Sequence, residues 1–240
     1  STTFEQFKNT FTSLGIHASY DDLQTDSTAS ANLKKQHGSY LDLSGKYGIK
    51  RDNRDRVFSP TKGSVISFGQ SLPIFADKPH IQNTFSGSFY KSFTNDIVGA
   101  TKFYISSVDG LDNEDVRLSK RTGLSSRRLR GFERNKVGPK DGDDFIGGNY
   151  ATALNFSTTI PQLLENSQNI DFIAFLDLAN VWGVDYDASI DDNSKLRSSI
   201  GLGIDWLTPI GPMNFTFSET LTKADTDITE SFRFNLGTTF

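Results

Sequence analysis

IDFIAFLDLANVW, residues 170–182, places Phe172, Ala174, Leu176, Leu178 and Trp182 on one parity and Asp171 and Asp177 on the other. Successive side chains of a β-strand point to opposite faces, so this segment reads as a strand with one apolar and one polar face. The pattern repeats on both sides of it. Downstream, Leu196, Ile200, Leu202, Ile204 and Trp206 oppose Arg197, Ser199, Gly201, Gly203 and Asp205. Met213, Phe215, Phe217 and Leu221 oppose Asn214, Thr216, Ser218 and Thr220. The last stretch sets Phe232, Phe234, Leu236 and Phe240 against Arg233, Asn235, Gly237 and Thr239. Upstream, Tyr150, Leu154, Phe156 and Ile160 oppose Asn149, Ala151, Ala153, Asn155 and Ser157.

The first hundred residues alternate less cleanly, through Leu14, Ile16, Ala18 and Tyr20, then Leu41, Leu43, Tyr47 and Ile49, and on to Ile66, Phe68 and Leu72. Residues 1–12 read equally as a strand start or one helical turn. The whole chain gives about ten strands. Each is roughly 9–14 residues, and a tilted membrane strand needs about 9–11. TPIGP (208–212) is a tight turn and 91–96 a short one, whereas the connections near 21–37, 108–147 and 184–194 are longer. Long loops on one rim and short turns on the other are the habit of transmembrane β-barrels. The polar faces are rich in Gly, Ser, Asn and Ala, which suits a lumen. Tyr150, Trp182, Trp206 and Phe240 near strand ends suit interfacial girdles. The same alternation is compatible with a soluble β-sandwich, and both readings stand at this point.

Composition narrows the chemistry. The 240 residues contain no Cys, which excludes disulfides, thiol nucleophiles and thiolate metal sites. Net charge is −4, so no global basic excess points to nucleic acid. No run approaches the roughly 18 apolar residues of a membrane helix, and residues 1–20 carry no secretory signal pattern. His17, His37 and His80 lie on separate segments without ligand spacing, so no metal is expected. Gly201-x-Gly203 lacks the strand–turn–helix setting of a dinucleotide site. Asn155-Phe-Ser and Asn214-Phe-Thr match the glycosylation pattern, but both sit mid-strand. Asp171 and Asp177 share a face without any sign of a raised carboxyl, and an enzymatic role is not expected. No cofactor is implied.

About forty residues between Val108 and Gly148 show no clear period, a length that in compact proteins marks function or disorder. Residues 117–140 hold nine Lys/Arg and one acid, Glu133. At its centre, RRLRGFERNK (127–136) carries Arg130-Gly131-Phe132.

These residues resemble the Arg-Gly-Phe/Tyr signature of the outer-membrane protein assembly superfamily, whose members include bacterial BamA and the barrel subunit of the mitochondrial sorting and assembly machinery. Four further stretches agree in order. Phe175-Leu176-Asp177-Leu178-Ala179 is similar to the family's Phe-x-Asp-x-Gly strand, with Ala for the last Gly. LRSSIGLGIDWLTPIGP (196–212) is similar to its Ser-x-Gly-x-Gly strand and Thr-Pro-x-Gly-Pro turn. Arg54-Asp55 with Pro60 and Gly63 resembles a strand-opening element, and the chain ends on Phe. The likeness is nearest to the mitochondrial branch.

The resemblance implies an all-β chain, the C-terminal portion of a transmembrane antiparallel barrel. It would hold about ten of sixteen strands, with the loop near 109–147 folded inward. The soluble transport-associated domain and first strands would lie outside residues 1–240. It implies insertion of β-barrel precursors into the mitochondrial outer membrane, or a bacterial or plastid one, through a lateral seam between the first strand and the last (Phe232, Phe234, Leu236, Gly237, Phe240). The implied partners are outer-membrane lipid, barrel precursors and peripheral subunits of an assembly complex, with no nucleic acid. A pore or translocation barrel of the same superfamily is the alternative.

Asp177 facing lipid would cost on the order of 2–3 kcal/mol. A lumen position with a partner avoids that cost. Arg130 is the expected partner, held fork to fork, an ion pair the resemblance also implies. Gly131 is expected to permit a sharp tip, and Phe132 to pack against the small inner residues around Gly201 and Gly203.

Overall fold

The computed structural model describes residues 1–94, 96–160, 169–209 and 211–236. Its strands are β1 (Thr2–Phe7), β2 (Thr10–Leu23), β3 (Gly38–Asp52), β4 (Gly63–Ala76), β5 (His80–Ser92), β6 (Val98–Gly110), β7 (Lys140–Asp141), β8 (Asp144–Phe145), β9 (Tyr150–Ile160), β10 (Ile170–Trp182), β11 (Arg197–Thr208), β12 (Gly211–Thr222) and β13 (Phe232–Leu236). Eleven form one sheet in the order β1-β2-β3-β4-β5-β6-β9-β10-β11-β12-β13. Every neighbouring pair is antiparallel, and β7 and β8 make a separate ribbon inside the long loop. Among the described residues the sheet is open, with β1 and β13 each paired on one side only. The described count is thus eleven rather than about ten. Residues 1–12 resolve as β1, a turn with Asn9 at φ 61°, and the start of β2.

Burial separates the two candidate architectures. In a sandwich, the large apolar side chains would be covered. Here they are the exposed ones: Ile16 is 73% exposed, Tyr20 69% and Ile74 59%. The buried face of β9 and β10 includes several small residues, Ala151, Ala153 and Ala179 among them. A continuous outer face of Leu, Ile, Phe and Tyr suits lipid, not water. No helix among the described residues is long and apolar enough to cross a membrane, which leaves crossing by strands open.

The buried core lies inside the curve of the sheet. Leu124, Leu129, Phe132 and Val137 of the long loop pack on Ala151 and Ala153 of β9 and Ala179 and Val181 of β10, with Tyr104 of β6 beside them. Small wall residues therefore make room for a loop, and the loop supplies the bulk.

Irregular alternation in the first half has a local cause. The β3–β4 register shifts between Leu43 and Ser44, which face Phe75 and Pro73. Ile74 is the extra residue of a bulge, so outward parity changes from Leu72 to Phe75. Pro73 sits at the bulge, where a missing N–H is tolerated. The rims also depart from strict alternation. Segments 24–37, 111–149, 183–196 and 223–231 lie on one rim, but 77–79 on that rim is tight and 53–62 on the other is long.

Candidate functional site: the lumen loop and its anchors

The loop 111–149 is fixed to the wall in stages. Its first limb meets β2 and β3. Lys120 Nζ lies 2.9 Å from Asp21 and 2.8 Å from Asp42, and Arg117 pairs with Asp42. Arg117 also lies 4.3 Å over the Tyr40 ring. Arg121 turns to the other side and pairs with Asp185 of the 183–196 connection. It also donates to the Asn149 side-chain oxygen at 2.6 Å. A short turn, Leu129 N–H to the Ser125 carbonyl at 3.3 Å, then delivers the tip.

At the tip, Arg130 grips Asp177 of β10. Its Nε donates to Oδ2 at 2.7 Å, its Nη2 to Oδ1 at 2.7 Å, and its backbone N–H to Oδ2 at 3.0 Å. Asp177 is fully buried. Asn155 Nδ2 supplies a fourth donor to Oδ1 at 2.8 Å, and also donates to the Arg128 carbonyl at 2.9 Å. A carboxylate with two donors on each oxygen recovers most of its lost hydration. Ser199 Oγ donates to the Arg130 carbonyl at 2.5 Å. Asn155, Asp177 and Ser199 are register partners on β9, β10 and β11, so one row of the wall makes the whole receptor.

The Arg130 guanidinium stacks 3.5 Å over the Phe175 ring. That ring in turn lies over Gly201, where an added Cβ would collide with the Phe217 carbonyl and stand 2.5 Å from the ring. Gly131 has φ +84°, and a Cβ there would lie 3.0 Å from the Ser199 Cβ. The tip thus needs Gly for both its backbone and its closeness to the wall.

The expected seat of Phe132 is corrected. Its side chain does not pack against Gly201 and Gly203. It is buried with Leu124, Leu129 and Val137 on the β9–β10 alanines. The two glycines serve different ends: Phe175 from the neighbouring strand already fills the space at Gly201, and the nearest side-chain atom to a Cβ at Gly203 is Ile173 Cβ at 3.8 Å. Gly203 borders a lumen cavity of about 850 Å³, lined also by Lys102, Arg128, Arg134, Asp205 and Arg233.

Asp171 does not join Asp177. It faces Asp205 across β10–β11. On the last strand, Phe232, Phe234 and Leu236 point outward and face Phe217, Phe215 and Met213 of β12. The Phe232–Phe217 and Phe234–Phe215 ring centroids are each 5.0 Å apart. Gly237 and Phe240 lie outside the described residues. Arg54 and Asp55 build the β3–β4 turn: Arg54 forks onto Asp52 at 2.8 and 2.7 Å, while Asp55 accepts from Thr61 Oγ1 at 2.6 Å.

Sequence reasoning does not reach Asn155, Ser199, the Arg117/Lys120 staple, or an Arg197–Asp227 pair between β11 and the 223–231 connection. Only the register across β9–β11 could have marked Asn155 and Ser199. No residue pattern fixes where the loops land.

An open antiparallel sheet with an apolar outside and a basic loop latched within is the architecture of an outer-membrane-type β-barrel wall. The Omp85 superfamily domain matches residues 1–240, and the chain belongs to that superfamily. It is 24% identical over 233 residues to the outer membrane protein assembly factor BamA of Neorickettsia risticii, covering 95% of this chain and 31% of that one. A SAM50-like protein of Schizosaccharomyces pombe is 26% identical over 215 residues, 83% of this chain and 45% of that one. The sorting assembly machinery 50 kDa subunit of Saccharomyces cerevisiae is 25% identical over 224 residues, 88% and 46% respectively. The chain therefore spans less than half the length of these curated relatives. BamA of Haemophilus ducreyi lacking POTRA domains 1–3 superposes with a TM-score of 0.87 at 23% identity, over 97% of this chain and 52% of that one. That likeness establishes the barrel fold.

Proposed function

We propose that this chain is part of the membrane barrel of an insertase that assembles other β-barrels into an outer membrane, the mitochondrial one by its likeness to the yeast relatives. Membership of the superfamily supports assembly as the general task. The observation that carries the reading to this chain's own residues is the seated tip, Arg130 on Asp177. The relatives named for bacterial assembly factors support the bacterial alternative for location.

The proposed role makes and breaks no bond. An unfinished barrel exposes strand edges whose unpaired backbone groups are costly in lipid. A seam bordered by β13 would lend its edge to the client's terminal strand, a form of β-augmentation. Phe232, Phe234 and Leu236 would keep that edge in the apolar layer, while the loop braces the wall beside it. Outer-membrane lipid, precursor barrels and peripheral subunits are the proposed partners.

The test uses the full-length protein in its own membrane, given a radiolabelled barrel precursor. A photocrosslinker at Phe234 is expected to capture the client's last strand, and Arg130→Lys to lower insertion severalfold. Full insertion by Arg130→Lys, or ion conduction without any client crosslink, would favour a pore and overturn the reading.

A further inference from the structure

Besides the anchors described above, the lumen loop docks on the 223–231 connection between β12 and β13. The two segments form a short antiparallel ribbon. Glu133 N–H donates to the Ile228 carbonyl, Ile228 N–H to the Lys136 carbonyl and Glu230 N–H to the Gly131 carbonyl, each at 3.0 Å. Phe132 and Thr229 are bridge partners between them. Arg233, on β13 itself, donates from Nη2 to the Phe132 carbonyl at 3.0 Å.

One buried ion pair holds this connection in place. Arg197 of β11 forks onto Asp227, Nε to Oδ2 at 2.9 Å and Nη2 to Oδ1 at 3.0 Å. The remaining Arg197 nitrogen, Nη1, donates to Asn180 Oδ1 at 2.7 Å and the Lys195 carbonyl at 2.9 Å. Asp227 in turn accepts the Ala224 N–H at 2.6 Å and, from the lumen loop, the Gly138 N–H at 3.3 Å. Arg197 and Asp227 are both buried. Asp227 therefore contacts the wall, its own connection and the loop at once.

β13 starts at Phe232, two residues beyond the Glu230–Gly131 bond of this ribbon. The ribbon with residues 131–136 and the Arg233 contact fix that start.

We propose that Arg197 and Asp227 are positioning residues that clip the β12–β13 connection onto the lumen loop, so that seating of the loop and pairing of the last strand are one coupled event. This deepens the insertase reading and rests on it for its meaning at the seam. The coupling itself is measurable without any client.

Hydrogen exchange followed by mass spectrometry on the full-length protein in nanodiscs provides the test. Arg197→Lys keeps the charge and loses the fork. It is expected to speed exchange about tenfold both at 228–236 and at 131–136, leaving β5 (80–92) unchanged. Arg130→Lys, which touches no residue of β13, is expected to speed 228–236 as well. Acceleration confined to 223–228 in the first variant, or unchanged 228–236 in the second, overturns the coupling. Should Arg197→Lys fail to fold, a Glu133→Cys/Ile228→Cys pair takes its place; residues 1–240 hold no Cys, so no thiol within them competes. Glu133 and Ile228 adjoin the Phe132–Thr229 bridge and share a backbone hydrogen bond, and residues so placed across an antiparallel ribbon lie about 5.5 Å apart at Cα, within disulfide reach. The oxidised pair is expected to slow exchange in β13, and reductant to restore it; exchange unaffected by oxidation overturns the clip. If oxidation slows exchange yet client insertion continues at the rate of the reduced protein, the clip stands and the role of β13 at the seam falls; coupled exchange with no client insertion by either form leaves the clip standing and overturns the insertase reading.

Discussion

Arg130 and Arg117 are both lumen-loop arginines bound to buried wall aspartates, and they are bound in different ways. Each Asp177 oxygen receives two donors, from Arg130 and Asn155. At Asp42, Arg117 and Lys120 crowd one oxygen, and the other has no partner. Arg117 Nε and Nη1 are likewise unsatisfied. Charge is paired in both places, but desolvation is offset fully in one and partly in the other. A specific anchor is therefore defined by satisfied lone pairs and fork geometry, while a shared aspartate tolerates exchange of its partners.

The largest effect is expected from Asp177→Ala, which leaves the Arg130 guanidinium at a wall built for its carboxylate. Removing one member of a buried pair costs about 3 kcal/mol. Urea unfolding in detergent, followed by Trp182 and Trp206 fluorescence, measures it, and trypsin should cut the freed 127–136 stretch. Wild-type stability with a protected tip would show that Asn155 and Ser199 suffice. Arg130→Lys comes next, at about 2 kcal/mol, because a single ammonium replaces two parallel bonds and the stacking on Phe175.

Gly201 and Gly203 sharpen the same point one layer deeper. Gly201→Ala drives a Cβ against both the Phe217 carbonyl and the Phe175 ring beneath Arg130, an overpacking cost of about 1.5 kcal/mol. Gly203→Ala meets only ordinary contacts and should stay within about 0.5 kcal/mol of wild type. Equal effects in the same unfolding assay would remove Phe175 from the account. Arg117→Lys keeps the charge and loses one hydrogen bond to a carboxylate that Lys120 already holds, so it should cost about 1 kcal/mol. A loss as large as that of Arg130→Lys would break the comparison.

The strands from Tyr150 onward were legible because one parity is uniformly apolar, and a period of two needs no knowledge of neighbours. The first half was less so, since the bulge at Ile74 exchanges the faces within one strand. Arg130 with Asp177 could be read because a carboxylate in the middle of a membrane strand demands a partner. Phe132 was misplaced for a physical reason. Small residues attract any large one in a sequence reading, and nothing in the chain said that Phe175 already occupied Gly201. Asn155, Ser199 and the Arg197–Asp227 clip depend on register and loop path, which arise from contacts distant in sequence.

A third aspartate carries the comparison to the surface. Asp55, exposed in the β3–β4 turn, is held by neutral donors: the Thr61 hydroxyl and the Thr61 and Lys62 amides donate to it. These donors, the hydroxyl foremost, pull its carboxyl down to about 2. The folded value lies below the unfolded one of about 3.9, so the contribution is complete above pH 4 and is lost as pH falls through about 2. A carboxyl NMR titration should find its midpoint near 2, and Thr61→Val should move it upward. A wild-type midpoint near 3.9 would mean that hydrogen bonds without burial leave no mark on the carboxylate. The contrast between Asp177 and Asp42 would then rest on burial and charge, with donor count playing a lesser part.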